Sequence, residues 1–337
     1  MEVHHTRSIA HVACSWYLGV CSHARHQRYR AWYDLVMNEW LGEQKKTLKL
    51  FFHEYGKVTC VFLLMFLGFL FIYLLTSLTS PRSLRVSFLD VGQGDSILIQ
   101  TPSGKDMLID GGGSNKVLTR LGVQMSYFDR DIDVMLMTHP DADHVTGLIP
   151  VLEKYNVGMI VLSKGEGHTQ VFDDVTKHVN DEHADIQVGE RGDVIDFHDG
   201  VTVKILYPSA NYIAKKNDTN DASVSVLVTY GDETFLLTGD LPSIEEGKLI
   251  SAGIPKNITV YKAGHHGSKY SSGEQLLTYI RPEYAVISAG KDNKYGHPNN
   301  ETMERLQKYA KEIISTIDRG TITFVTDGRM MEVETSH

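Results

Sequence analysis

The segment Met135-Leu136-Met137-Thr138-His139-Pro140-Asp141-Ala142-Asp143-His144 contains four potential metal ligands within six residues, immediately after a short apolar run. The apolar run predicts a buried strand over Asp133–Met137, which would deliver all four side chains at one strand end. Imidazole nitrogen and carboxylate oxygen bind divalent cations at roughly 2.0–2.2 Å. An isolated Asp-Ala-Asp is more often a turn or a helix cap, and an isolated histidine a core residue. Four potential ligands together favour a metal site.

The spacing within this segment suggests two ions. His139 and Asp141 are one residue apart and suit one ion, whereas the adjacent Asp143 and His144 suit a second. Two ions about 3.5–4 Å apart can share a bridging carboxylate and a hydroxide. We therefore expect two divalent metal ions as cofactors.

The same succession of apolar strand and ligand recurs twice downstream. Phe235-Leu236-Leu237-Thr238 leads to Gly239-Asp240, and Val260-Tyr261-Lys262 leads to the pair His265-His266. Three such strand ends argue against coincidence. They indicate that ligands from distant parts of the chain converge on one small volume.

The pattern of elements around these ligands predicts an α/β fold. Strands over Leu84–Leu89, Ser96–Gln100 and Lys105–Ile109 precede any helix-like segment, and strands and helices alternate after them. Hairpin-like strands mixed with alternating helices indicate two mixed sheets packed face to face, with helices outside, in a four-layer arrangement. Helices are expected at Gly147–Tyr155, Val171–Asp181, Ser243–Ala252, Ser272–Ile280 and Asn300–Lys311.

A second distinctive stretch, Asp90-Val91-Gly92-Gln93-Gly94-Asp95-Ser96, lies near the start of this pattern. With the His139–His144 segment, it makes residues from about 84 to 328 resemble the metallo-β-lactamase superfamily, and within it the C-terminal domain of the ComEC family of DNA-uptake proteins. DVGQGDS is characteristic of that family, whose metal motif has an aspartate where most of the superfamily has a second histidine. The resemblance implies a four-layer αββα metallo-β-lactamase-like sandwich over residues 84–335.

The resemblance also implies roles for individual residues. Asp240 would bridge the two ions, and Asp143 would orient the nucleophile or accept its proton. His265 or His266 would complete the first site or protonate the leaving group. His297 would complete the second site, although Pro298 after it also permits a purely structural loop. The expected supporting or substrate-contacting residues are Asp90, Gln93, Asp95, Asp110, Asn220, Ser223, Lys262 and Ser268.

Two departures from the usual superfamily pattern bear on the metal. Asp141 replaces a histidine, and Asn220-Asp221-Ala222-Ser223 occupies the region where many lactamase-like enzymes place another. More oxygen and less nitrogen shifts the preference from zinc toward manganese without deciding between them. Asn220 and Ser223 could instead donate hydrogen bonds to a phosphate oxygen, although a strand-entry turn would use the same residues.

The stretch from Val58 to Leu78 carries no charged residue and has about the 20 apolar residues that a helix needs to cross a membrane. It predicts one transmembrane helix over residues 58–79. Basic residues near a span are retained in the cytoplasm. Lys45, Lys46, Lys49 and Lys57 upstream outnumber Arg82 and Arg85 downstream, so residues 1–57 are expected in the cytoplasm.

A single-pass cell-membrane protein with its catalytic domain outside the cytoplasm is therefore predicted. Residues 1–36 carry scattered histidines without ligand spacing, and we expect natural translation to begin at Met37. One span cannot form the many-helix channel that ComEC proteins carry. The resemblance therefore leaves open a separate channel protein as partner, or a free-standing enzyme at the cell surface.

The formal charge of the chain is −9, and residues 81–337 carry 25 Lys plus Arg against 37 Asp plus Glu, which is −12. A non-specific nucleic-acid binder usually presents a basic surface. A DNA substrate would thus depend on the metals or on a local patch, for which Lys262, Lys269 and Lys294 are candidates. Solvated surface lysines are an equally good interpretation.

Three function classes remain open from the sequence. The first is a metal-dependent phosphodiesterase, foremost a nuclease acting on extracellular DNA, single- or double-stranded. The second keeps the metals but acts on a small or cell-surface phosphodiester, as phosphorylcholine esterases with this kind of domain do, or on a lactone or lactam. The third is a non-enzymatic anchor, against which the complete ligand set argues.

Overall fold

The computed structural model describes residues 23–79, 83–214, 219–291 and 293–337. It divides the chain into two compact units, with the boundary between Ser80 and Pro81. Residues 1–22, the first part of the predicted cytoplasmic segment, lie outside the described residues, as do residues 80–82 between the predicted span and the domain.

The described part of the N-terminal unit is one long helix, α1, His23–Thr79. Its stretch Tyr55–Leu74 has a mean hydropathy of 2.3 and is long and apolar enough to cross a membrane, by length and composition. This stretch overlaps the span predicted at 58–79. The helix also covers the described part of the expected cytoplasmic segment, which includes Met37.

The second unit is built from β-strands of three to seven residues and short helices. The strands are β1 Leu84–Phe88, β2 Ile97–Gln100, β3 Asp106–Ile109, β4 Asp131–Leu136, β5 Asn156–Leu162, β6 Asp185–Val188, β7 Val194–Asp196, β8 Val201–Tyr207, β9 Ser225–Tyr230, β10 Glu233–Leu237, β11 Val260–Lys262, β12 Tyr284–Ile287, β13 Glu312–Ser315, β14 Ile322–Thr326 and β15 Met331–Thr335. The helices are α2 Lys116–Gln124, α3 Ala142–Val145, α4 Leu148–Leu152, α5 Gln170–Asp181, α6 Ser243–Ser251, α7 Glu274–Ile280, α8 Asn300–Tyr309 and α9 Thr316–Arg319.

These strands form two sheets, in the orders β15-β14-β1-β2-β3-β4-β5-β6 and β13-β12-β11-β10-β9-β8-β7. Alternate apolar side chains from both sheets interdigitate in one continuous core between them. The ring of Phe324 packs edge-on against Phe88 in its own sheet, at 5.9 Å between centroids, and against Phe235 in the other sheet, at 6.0 Å. Such inward-facing alternation is what joins two sheets face to face.

Two further apolar cores lie on the outer faces of the sheets. Helices α2 to α5 cover the first sheet through residues such as Val117, Leu121 and Val175. Helices α6 to α8 cover the second through Leu249, Leu276 and Leu306. The four-layer αββα arrangement predicted from the sequence is therefore confirmed.

The parallel strands determine where functional side chains meet. Strands β3 to β6 run parallel to one another in the first sheet, as do β10 to β13 in the second. The carboxyl ends of β3, β4, β10 and β11 are followed respectively by Asp110, the His139–His144 segment, Asp240 and the His265-His266 pair. All predicted ligand-bearing loops except the one with His297 leave from these four ends.

Several elements were not predicted from the sequence. Helix α2 was missed although Val117, Leu118 and Leu121 have helical spacing, because it has only nine residues and no side-chain cap at its start. Strand β6 is exposed along its whole length and shows no alternation. The Asp141–His144 segment, expected as a loop, begins the short helix α3 at Ala142, with Asp141 at its N-cap position.

Candidate metal centre

Asp110 holds the segment that carries four of the expected ligands. Its fully buried carboxylate accepts the backbone N–H of Thr138 at 2.8 Å through Oδ1 and the Thr138 hydroxyl at 2.6 Å through Oδ2. The same Oδ2 lies 2.8 Å from Nδ1 of His144. A carboxylate on one ring nitrogen fixes the ring orientation and leaves the other nitrogen for a ligand. In this case the nitrogen left over is Nε2 of His144.

The carboxylate of Asp240 is surrounded by four imidazole rings. Its Oδ2 lies 3.3 Å from Nε2 of His144, 3.4 Å from that of His266, 3.6 Å from that of His265 and 3.8 Å from that of His139. Asp240 follows β10 and is buried, and its backbone N–H donates to Ser223 Oγ at 3.2 Å. One oxygen atom therefore faces ligand nitrogens from two separate loops.

These distances fit a bound cation better than hydrogen bonds. Nε2 of His139, His144 and His266 are all buried and have no hydrogen-bond partner among the described residues. Buried polar atoms without partners are rare, because each loses its hydrogen bonds to water without gaining a replacement, which costs free energy. Two ligand atoms that each lie about 2.0–2.2 Å from a tetrahedral ion are about 3.4 Å apart. The observed spacing of 3.3–3.8 Å leaves room for such ions.

The aspartates divide the cluster into two halves that share Asp240. Asp141 Oδ2 lies 3.8 Å from Nε2 of His139, and Asp143 Oδ2 lies 3.4 Å from Nε2 of His266. The sequence paired His139 with Asp141 and Asp143 with His144. The structure brings Asp141 to His139, whereas the described side-chain contacts of Asp143 are with Gln93 and His266. His266, however, lies beside Asp143 in the second half. The sequence analysis had expected His265 or His266 to complete the first site or to donate a proton.

The backbone of the histidine pair explains how two adjacent rings reach the same carboxylate. His265 (φ 48°, ψ 51°) and His266 (φ 55°, ψ 23°) are both in the left-handed region, within a 3-10 turn over Gly264–Gly267. Non-glycine residues there are strained by roughly 1–2 kcal/mol each, and such strain concentrates at functional sites. The two rings end up 79° from coplanar, with 5.8 Å between their centroids.

The same turn gives the two histidines different surroundings. The side chain of His266 is 1% exposed, whereas that of His265 is 29% exposed. Nδ1 of His265 lies 3.4 Å from the Asn220 side-chain amide, at the solvent side of the cluster. His266 is thus enclosed among carboxylates, and His265 is within reach of an incoming molecule.

His297 lies beside His265, with 5.4 Å between ring centroids, and stacks on Tyr295 at 5.9 Å with planes 16° apart. Asn293 holds this loop by accepting the His297 N–H at 2.9 Å and donating to its carbonyl at 2.6 Å. Partial burial and the neighbouring His265 lower the pKa of His297. The sequence assigned His297 to the second site, but its described ring contacts are on the His265 side.

Lys262 and Asp95 form an ion pair on the inner side of the cluster. Lys262 is fully buried, donates to the Gly239 carbonyl at 3.2 Å and lies 3.7 Å from Asp240 Oδ1. Burial opposes its charge, but Asp95 and Asp240 raise its pKa above the usual range. The proposal that Lys262 belongs to a basic surface patch is therefore wrong, because its side chain does not reach the surface. Lys269 and Lys294 are exposed.

Asp95 supports His266 from behind. Its Oδ1 lies 3.3 Å from His266 Nδ1, which is also 2.9 Å from the Ser288 carbonyl. Ligand atoms of Asp95, His144, Asp240 and His266 lie within 4.8 Å of one another, so this group could hold a metal. Because Asp95 faces Nδ1 rather than Nε2 of His266, its geometry is that of a residue that orients the ring.

The DVGQGDS segment packs against the Asp143 loop. A Cβ on Gly94 (φ 114°) would lie 1.8 Å from the Asp143 carbonyl oxygen, so only glycine permits this approach. The Gln93 amide lies 3.4 Å from Asp143 Oδ2. Asp90, by contrast, pairs with Arg120 of α2 at 2.8 Å, and its described contacts do not include the histidine–aspartate cluster.

The remaining predicted residues shape the loops around the cluster. Ser223 accepts the Asp240 N–H, and the backbone N–H of Ser268 closes the histidine turn by donating to the His265 carbonyl at 2.8 Å. Thr138 and Thr219 were missed by the sequence reasoning. The Thr219 hydroxyl donates to Asp141 Oδ1 at 2.5 Å. Only the fold brings this residue near Asp141, so no local pattern could have identified it.

Electrostatics within the cluster favour cations. Burial opposes ionisation of Asp143, but the adjacent imidazoles of His266 and His144 hold its pKa well below the usual range. Burial likewise opposes the charge on His266, yet Asp240 and Asp95 raise its pKa to about 9. Burial and His144 lower the pKa of His139 to about 3. Asp143 thus stays ionised and draws positive charge into the cluster, whereas burial raises the pKa of Asp141.

Comparison with known proteins places these features in a family context. Residues 89–210 match the metallo-β-lactamase superfamily. The structure resembles YhfI from Bacillus subtilis, a metallo-β-lactamase-fold protein, with a TM-score of 0.50, 11% identity and coverage of 73% of this chain and all of that one. That likeness establishes the fold.

Two sequence relatives are informative. ComE operon protein 3 of Bacillus subtilis (strain 168) is 30% identical over 262 residues, which are 71% of this chain and 32% of the relative. Exodeoxyribonuclease WalJ of Streptococcus pneumoniae (serotype 2, strain D39) is 32% identical over 71 residues, or 21% of this chain and 26% of that protein. The chain thus spans about a third of the length of its ComEC-like competence relative.

Proposed function

Because this domain has the metallo-β-lactamase fold and ComEC-like competence relatives, we propose that the protein is a membrane-anchored phosphodiester hydrolase that degrades DNA outside the cytoplasm. The fold itself supports a metal-dependent hydrolase. The nucleolytic activity, the anchor and its orientation are our proposal.

The observation that carries the proposal is the position of Asp240. Its Oδ2 faces Nε2 atoms of four histidines at 3.3–3.8 Å, and three of these atoms are buried without hydrogen-bond partners in the described part of the chain. A carboxylate shared by two ligand sets is the arrangement that a two-ion centre requires. Two divalent ions, zinc or manganese, fit this donor set.

We assign the ligands from the two halves of the cluster. His139, Asp141 and Asp240 would hold one ion, and Asp143, His144, His266 and Asp240 the other. Bound ions of this kind lower the pKa of a bound water to about 7 and neutralise charge on a phosphoryl group. Asp110 and Asp95 would keep His144 and His266 oriented through their Nδ1 atoms.

Among the chain's own groups, His265 is the best candidate for proton donor. It is partly exposed and reaches Asp240 at 3.6 Å, whereas His266 is enclosed between Asp143 and Asp240. A general acid must contact the leaving group, and this requires access to the substrate. Asp143, kept ionised, would orient the nucleophile or accept its proton.

DNA is the proposed substrate on the basis of the relatives. One relative is named an exodeoxyribonuclease, and the ComEC-like competence proteins suggest a context of DNA uptake. The apolar stretch Tyr55–Leu74 would anchor the protein in the cell membrane, with the domain outside. A separate channel protein would then be its partner in uptake.

The test is a metal-dependent activity screen on the purified full chain in detergent. We expect release of nucleotides from DNA with manganese or zinc, loss with chelator, and loss in Asp143→Ala and Asp240→Ala. Asp318→Ala, which changes an exposed aspartate on α9 that is not part of the histidine–aspartate cluster, is the matched control and should retain activity. Turnover of a choline phosphodiester without DNA cleavage would identify a surface-phosphodiester hydrolase instead.

A further inference from the structure

A row of aromatic rings leads from the surface to the proposed metal centre. Tyr295 is 51% exposed and stacks on His297, and His297 contacts His265. Nε2 of His265 in turn lies 3.6 Å from Asp240 Oδ2. The row therefore joins solvent to the carboxylate that both ligand sets share.

A second exposed tyrosine follows the histidine turn. Tyr270, only four residues after His266, is 67% exposed. Each tyrosine has the ammonium group of the preceding lysine near its ring, at 5.2 Å for Lys269 over Tyr270 and 5.1 Å for Lys294 over Tyr295. Two such lysine–tyrosine pairs thus lie on the loop segments next to His266 and His297, in a domain that is otherwise strongly acidic.

The two loops are held firmly beside each other. Asn299 accepts the Lys269 N–H at 2.8 Å and donates to the Gly296 carbonyl at 3.1 Å. Arg305 donates to the carbonyls of Lys269 and Ser271 at 3.1 and 3.0 Å. Exposed aromatic rings on loops fixed in this way lose little freedom when a planar group stacks on them.

We propose that Tyr295 and Tyr270, with Lys294 and Lys269, form the entry path for a single-stranded nucleic acid. Bases stack on aromatic side chains and lysines neutralise phosphates, which is how single strands are bound without sequence preference. Duplex DNA hides its base faces and cannot use such rings. This inference rests on the proposed phosphodiesterase function and adds the substrate's strandedness and the residues that select it.

The experiment measures strand binding separately from cleavage. The full chain in detergent, with its metals as isolated, is titrated with a labelled oligothymidylate whose phosphorothioate links resist cleavage. A strand of equal length lacking bases and a duplex of the same length are the comparison probes. We expect the oligothymidylate to bind more tightly than either. Tyr295→Leu and Tyr270→Leu should each weaken it by roughly 5- to 100-fold, while the already weak binding of the abasic strand is unaffected.

Two further variants distinguish a loss of base stacking from a general loss of structure. Tyr295→Phe keeps the ring and should bind as the unmodified protein does. Tyr127→Leu removes another exposed tyrosine with a nearby cation, Arg130 at 6.0 Å, but before β4, at the opposite end of the strand from the metal loop. It should leave binding unchanged.

The outcomes are distinguishable from failure of the proposed function. Equal binding of oligothymidylate by Tyr295→Leu, Tyr270→Leu and the unmodified protein overturns the entry path even if DNA is cleaved. Tighter binding of duplex, or equal binding of the abasic strand, does the same. Conversely, ring-dependent strand binding without hydrolysis of any phosphodiester would refute the hydrolase and leave the path standing. Equal affinity for an oligouridylate would show that RNA is accepted too.

Discussion

Lys262 and Asp95 are ion-paired with both side chains buried, next to the carboxylate of Asp240. Removing one partner of a buried pair leaves the other charge uncompensated, which destabilises a protein by about 3–5 kcal/mol. Lys262→Met should therefore lower the free energy of unfolding by about that amount. Urea denaturation of the metal-free protein measures it, and Lys308→Met, which breaks an exposed pair with Glu274, is the control. A loss no larger than that of the control would contradict this role.

Substitution of Asp110 should weaken metal binding without changing the rate of hydrolysis by the metal-loaded protein. Its carboxylate holds both the Thr138 backbone and the His144 ring, and removal of such supporting bonds typically weakens metal binding 10–100-fold, as a rough range. Asp110→Asn should lose its metal to a competing chelator at correspondingly lower chelator concentration. Activity should return at saturating metal. Unchanged metal retention would show that His144 does not depend on this carboxylate.

The two adjacent histidines should have separable effects. His266→Gln removes a proposed ligand, so the purified protein should contain one fewer ion per chain by elemental analysis. His265→Gln should keep both ions but slow hydrolysis by roughly 10²–10⁴-fold, the usual contribution of a general acid. This loss should shrink with a p-nitrophenolate leaving group, which needs no proton. Loss of metal in both variants would place His265 among the ligands.

Asp106, at the start of β3, should make stability depend on pH. Burial and the nearby Asp129 and Asp133 raise its pKa to about 6, while a hydrogen bond from Gln100 opposes the shift. Because the folded pKa exceeds the unfolded value of 3.8, the stabilising contribution is complete below pH 3.8 and is lost as pH rises through 6.

Asp106→Asn should therefore gain about 1–2 kcal/mol of unfolding free energy above pH 6, after allowance for solvent screening. The same variant measured at pH 3.5 is its own control and should show no gain. Chemical denaturation across this pH range gives both values. A gain that is equal at all pH values would mean that the substitution acts through packing and not through ionisation.

Much of this domain follows from local sequence. The strands that precede His139, Asp240 and His265 were recognisable because their apolar runs are followed by ligand side chains. The mixed sheets were predicted from hairpin-like strands followed by alternating helices and strands. Helix α2 and strand β6 were missed for different reasons. Helix α2 has helical spacing but only nine residues and no side-chain cap, whereas strand β6 is exposed along its whole length and shows no alternation. The hydrogen bond from Thr219 to Asp141 could not be predicted either, because the two residues are 78 positions apart in the chain.

The sequence by itself determined the chemical types of the ligands, their order and their places at strand ends, since these depend on short segments. Only the tertiary structure decided which histidine faces which carboxylate. The left-handed backbone of His265 and His266 directs one ring inward and the other toward solvent. This conformation cannot be predicted from the residue type, because histidine does not usually adopt it. The burial of Lys262 and the alignment of Tyr295 with His297 likewise arise from packing between segments far apart in the chain, which local propensities do not encode.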